Sequence, residues 1–76
     1  MNNSRRKEIR LVIDKLQGNV NTIQELQEQE QESFDNMPEG IQESEKGQKI
    51  EENASELEEI KTELEDLIAR LEEIIE

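Results

Sequence analysis

The chain has 76 residues and a formal net charge of −12, with 30% apolar residues, one aromatic side chain and neither Cys nor His. A typical globular domain is roughly 45 to 50% apolar, so this chain buries little of itself and needs a second copy or another partner to complete a core. The missing Cys and His exclude disulfides, zinc and haem ligation, thiol nucleophiles and imidazole acid/base chemistry, so no cofactor, metal or catalytic residue is expected.

Ser4 reads as an N-cap, because its hydroxyl can accept from a free backbone N–H of the first turn. A helix over about residues 4–32 follows. Ile9, Val12, Ile13, Leu16, Val20, Ile23 and Leu26 recur at spacings of three and four and form one stripe. With Ile13 at heptad position a, Leu16 is d, Val20 a and Ile23 d, while Val12 and Leu26 widen the stripe at g. Leu11 lies off it, Gly18 sits on the outer face, and the apolar signal fades after Leu26.

Residues 33–44, SFDNMPEGIQES, hold the only Phe and Pro of the chain and read as a loop with a short PEGI turn. Asp35 or Asn36 is placed to cap that turn, and Pro38 suits its first position. Phe34 and Met37 are expected to fold back as a plug over Leu26, Ile41 and Ile50. A two-helix connection needs only two to eight residues, so the surplus marks Phe34, Asp35, Met37, Glu39, Gln42, Glu43 and Glu45 as a candidate partner-binding loop.

Ser44 reads as the next N-cap, with a helix over about residues 45–75. Ile50, Ala54, Leu57, Leu64, Ile68, Leu71 and Ile75 take its a and d positions, Lys61 interrupts an a position, and Ile60, Leu67 and Ile74 add a g row. The expected fold is all-α. An antiparallel, coiled-coil-like two-helix hairpin pairs residues whose numbers add to roughly 78, which sets Ile9 against the Ile68 region and Ile23 against Ala54. Each apolar face is three-sevenths of the helix surface, wider than one helix contact, so the hairpin is expected to homodimerise into a four-helix bundle. Ile13, Leu16, Val20, Ile23, Leu57, Leu64, Leu67, Ile68 and Leu71 are the candidate oligomer core.

Charge is uneven: residues 1–17 carry five basic and two acidic side chains, residues 18–76 four basic and nineteen acidic. Arg5, Arg6, Lys7 and Arg10 form a basic patch, a candidate nucleic-acid contact, although it lacks interleaved aromatics and would lie beside Glu72, Glu73 and Glu76. The overall charge opposes nucleic-acid binding beyond such a patch. The acidic face suits the opposite role, imitation of nucleic acid in the channel of a basic protein. Carboxylate pairs such as Glu51 with Glu52 fall on solvent-facing positions, unsuited to catalysis. A calcium-loop match from Asp35 fails at Met37 and Lys46, and the NAS pattern at Asn53 lies in a helix. No apolar run approaches the roughly 18 residues of a membrane span, and the first residues lack a signal-peptide core, so no membrane contact and a cytoplasmic location are expected.

The central stretch EQESFDNMPEGIQESEKGQKIEEN, with a basic first helix and an LEEI…LEDLI second helix, resembles small acidic helical proteins encoded by phages and prophages of low-GC Gram-positive bacteria. That resemblance implies a bacterial host cell and no enzyme activity or cofactor. It implies a protein that binds a host or phage protein, as an inhibitor of host defence or of nucleic-acid processing. A nucleic-acid-binding dimer and a structural assembly helper are the alternatives.

Overall fold

The computed structural model describes all 76 residues and is all-α, 89% helix with no strand. Helix α1 spans Asn3–Asp35, the one-turn helix α2 spans Glu39–Gln42, and α3 spans Glu45–Ile75. At 1.5 Å per residue the long helices measure about 50 and 46 Å. The molecule is only 58 Å long and 15 × 13 Å across, so α1 and α3 lie side by side rather than end to end.

Asn2, not Ser4, caps α1: its Oδ1 accepts from Arg5 N–H at 2.8 Å. The helix also runs three residues further than the apolar pattern signalled. Gln, Glu and Leu are good helix formers, and nothing in QELQEQEQES breaks the ladder before Pro38, which disfavours helical backbone at the residue preceding it. Pro38 stands just before α2, where its missing N–H costs nothing, and no side chain of Asp35 or Asn36 caps that turn. Ser44 caps α3 as expected, its Oγ accepting from Gly47 N–H at 3.3 Å.

The α1–α3 contact is a heptad seam. On α1 the seam positions at least half-buried are Arg6, Ile9, Ile13, Leu16, Val20, Ile23, Gln27, Glu30 and Phe34, continuing through Met37, with Gln31 half-buried beside them. On α3 they are Gly47, Ile50, Ala54, Leu57, Lys61, Leu64, Ile68, Leu71 and Ile75, with every spacing three or four and Asn53 half-buried alongside. The seam persists through Gln27, Glu30 and Lys61, where the side chains are polar. Ile13, Val20 and Ile68 form the buried cluster, flanked by Ile9, Leu16, Leu64, Leu71 and Ile75.

Early residues of α1 stand beside late residues of α3. Leu16 shares a groove with Leu67, Leu71 and Ile74, and Glu30 shares one with Asn53 and Leu57. Opposed pairs therefore add to roughly 84, not 78, as alternating a and d layers require. Ile23 consequently stands at the level of Lys61 rather than Ala54, and Ala54, only 1% exposed, stands at the level of Glu30.

At the closed end α2 packs on the first turn of α3. The Phe34 carbonyl accepts from Met37 N–H at 3.1 Å and from the Gln42 side-chain amide at 2.9 Å, tying the last turn of α1 to α2. Gly47 is buried under this turn. A Cβ there would collide with the carbonyl oxygens of Ile41 and Gln42, which is why the smallest residue occupies the crossing. The expected plug is only half realised: Phe34 and Met37 are half-buried on the seam, whereas Leu26 and Ile41 stay exposed on its outside.

Candidate interaction surfaces

The two flanks of the seam differ. One flank is built from the e positions, namely Arg10, Gln17, Gln24 and Gln31 of α1 with Glu51, Glu58, Glu65 and Glu72 of α3. All are polar and all but Gln31 exposed. The other is built from the g positions, and there Val12, Leu26, Ile60, Leu67 and Ile74 are between 36% and 52% exposed. A continuous polar flank needs no partner. An apolar flank on a chain with only four buried apolar side chains is a large share of its hydrophobic material left in water.

Two shallow grooves open on the apolar flank. One, of about 310 Å³, is lined by Leu16, Leu67, Arg70, Leu71 and Ile74, and the other by Glu30, Asn53, Glu56 and Leu57. The first is apolar apart from Arg70; the second lies nearer the α2 end and is polar. The nine residues expected to form an oligomer core therefore divide. Ile13, Val20 and Ile68 are already buried within the chain, Leu16, Ile23, Leu57, Leu64 and Leu71 are half-buried on the seam, and Leu67 faces outward. Val12, Leu26, Ile60 and Ile74 belong with Leu67. Their seven-residue spacing was visible in the sequence, but the side of the seam they share depends on the relative direction of the helices.

The basic residues gather at the other end of the molecule. Arg6, Lys7 and Arg10 line a small groove with Ile75, and Arg5 is exposed nearby. Arg6 donates from Nη1 to the Asn3 side-chain oxygen at 3.3 Å, while its Nε is buried without a hydrogen-bond partner. Arg6 lies along the seam with its charged head at the edge, its stem covering apolar surface. That divides the patch into one packing residue and three exposed ones, Arg5, Lys7 and Arg10.

The seven loop candidates also divide by burial. Phe34, Met37 and Gln42 are half-buried, Phe34 and Met37 on the seam and Gln42 bonded to the Phe34 carbonyl. Asp35, Glu39, Glu43 and Glu45 are exposed and form an acidic rim; Asp35 accepts from the Gln31 side-chain amide at 3.0 Å. The connection is also tighter than the sequence implied, with only residues 36–44 between the long helices and four of those helical.

Acidic residues concentrate towards that rim. Residues 25–58 contain twelve carboxylates against Lys46 and Lys49. Residues 1–17 and 66–76, at the opposite end, contain six acidic and six basic side chains. No group of His, Cys, Asp and Glu side chains converges as a metal site, and no helix is long and apolar enough to cross a membrane. No family model, curated protein or solved structure matches the chain.

Proposed function

We propose that the protein is a non-catalytic interaction module: an antiparallel helical hairpin that homodimerises into a four-helix bundle and presents an acidic surface to a basic partner protein. The observation that carries this reading is the one-sidedness of the seam: the g flank exposes Val12, Leu26, Ile60, Leu67 and Ile74 among the polar Arg5, Asn19, Ser33 and Asn53, whereas the e flank is wholly polar. A single apolar flank is covered by one additional copy, which favours a closed dimer over a growing array. Burying the remaining exposed area of five apolar side chains per protomer contributes about 1 kcal/mol each, roughly 10 kcal/mol for two protomers, partly offset by the several kcal/mol lost in association.

Dimerisation places the acidic residues on one rod. Twice the net charge of −12 over 58 Å is about one net negative charge per 2.4 Å. Duplex DNA carries one per about 1.7 Å. The rod thus comes within a factor of two of the linear charge of the duplex, and a protein that binds nucleic acid through a basic channel is the partner class it fits. With the likeness to phage-encoded proteins, this favours an inhibitor of a host defence or nucleic-acid-processing protein. The basic groove supports a nucleic-acid contact less well, because Glu72, Glu73 and Glu76 belong to the same end of the chain and Arg6 is partly spent on packing.

The test is capture from bacterial host lysate with and without charge reversal. The account expects a basic partner that is released by salt and by competing duplex DNA, and that is lost when Glu28, Glu32, Glu52 and Glu56 are replaced by Lys. A partner held equally well by the reversed variant, with unchanged helicity and oligomeric mass, would rule out the acidic surface as the contact.

A further inference from the structure

The apolar flank and the charge distribution together specify how the second copy lies. We propose that the two protomers of the dimer run antiparallel, related by a two-fold axis that lies between the two apolar flanks, perpendicular to the rod and beside Leu67. This deepens the dimer reading above and rests on it.

The spacing of the apolar side chains is symmetric about that point. Levels along the rod follow from the seam register of roughly 84 and a rise of 1.5 Å per residue, which places Ile74 and Val12 about 12 and 9 Å to one side of the midpoint of the row. Ile60 and Leu26 lie about 9 and 12 Å to the other side, and Leu67 within about 2 Å of it. A two-fold axis perpendicular to the rod carries each set onto the other. Because that axis stacks α1 on the partner's α1 and α3 on the partner's α3, Val12 of one protomer then meets Leu26 of its partner, Ile74 meets Ile60, and the two Leu67 side chains meet at the axis.

A row that reads the same in both directions admits either orientation; the charges choose between them. A parallel dimer would place two acidic halves side by side, each with twelve carboxylates against two lysines. The antiparallel dimer instead sets each acidic half beside the other protomer's opposite end, which is neutral in sum and carries the basic cluster. Adjacent surfaces fall within a Debye length of about 8 to 10 Å, whereas the two acidic halves move several Debye lengths apart. The midpoint of the apolar row also lies close to the midpoint of the rod, so the antiparallel copies overlap along nearly their whole length. The groove of Arg6, Lys7, Arg10 and Ile75 opens on the polar flank and stays uncovered.

The chain contains no cysteine, so single-cysteine variants carry one label per protomer. Glu52 is exposed on the face of α3 away from both flanks. In spin-labelled Glu52→Cys, dipolar spectroscopy is expected to report a separation of about 45 to 50 Å between protomers, from twice the roughly 21 Å axial offset of this residue plus the width of the pair. A separation below about 30 Å means a parallel dimer and overturns the orientation while leaving the dimer intact. A dilution-independent absence of dipolar modulation at protein concentrations above 100 µM means a monomer and overturns both. As a second measurement, oxidation of a mixture of V12C and L26C chains is expected to give the mixed disulfide. Efficient mixed disulfides between V12C and I74C chains, which a parallel dimer sets at one level, instead would contradict the antiparallel pairing.

Discussion

Gly47→Ala and Gly18→Ala are the same chemical change in helices of the same molecule, and the structure predicts opposite signs for them. In an exposed helix interior, alanine is favoured over glycine by about 0.8 to 1.0 kcal/mol. Gly18 is exposed on the outer face of α1 with nothing within 4 Å of an added Cβ, so it should show that gain in full. At about 4 to 8 °C per kcal/mol for a chain of this size, the midpoint rises by a few degrees. At Gly47 the added methyl would sit 2.5 Å from the Gln42 carbonyl oxygen and 2.7 Å from its carbon, with the Ile41 carbonyl closer still. These are backbone atoms that cannot rotate away. Relief requires α2 to lift off α3, which strains the Gln42 to Phe34 hydrogen bond. Overpacking of this kind costs about 1 to 3 kcal/mol, which cancels or outweighs the propensity gain and leaves a net loss of up to about 2 kcal/mol. Thermal and urea unfolding followed by circular dichroism at one fixed protein concentration measures both variants. A Gly47→Ala protein as stable as Gly18→Ala would refute the close crossing of α2 over α3.

Three further predictions follow from the seam and its ends. Ile68→Ala should lower stability by about 2 to 5 kcal/mol, because Ile68 is 4% exposed within the three-residue buried cluster, and urea titration measures the loss. Ser44→Ala removes the acceptor for Gly47 N–H and should cost about 1 kcal/mol, read as a midpoint shift of several degrees in thermal melts. Lys61→Leu replaces a half-buried cation on the seam with an apolar side chain; the midpoint should rise, and light scattering should detect species heavier than the wild-type assembly as register specificity weakens.

The long helices and the turn at Pro38 were legible in the sequence because three- and four-residue apolar spacing and a lone proline are strong local signals. The register was not. The apolar pattern of α1 fades after Leu26, whereas Gln27 and Glu30 continue the seam with polar side chains that carry no hydrophobic signal. Three more residues of α1 move its opposite number along α3 by several positions, and the Ile23, Ala54 and Lys61 levels move with it. The role of Gly47 was likewise invisible, since it depends on which backbone crosses above it. Phe34 looked like loop material but sits at a seam position of α1, half-buried, one residue before the helix ends. The contrast between the two flanks was present in the sequence as an apolar g row beside Gln- and Glu-bearing e positions. It becomes a surface only when the opposed directions of α1 and α3 bring both g rows to one side.

Sedimentation equilibrium of the wild-type chain beside a Leu67→Lys, Ile74→Lys variant tests whether that surface is covered by a second copy. Both substitutions fall on exposed side chains outside the buried cluster, so α1 and α3 should still pack. The wild type is expected at about twice the 8.9 kDa chain mass at tens of micromolar, and the variant at a single chain mass. A fully helical wild-type protein sedimenting at 8.9 kDa at those concentrations, or a variant as dimeric as the wild type, would contradict it.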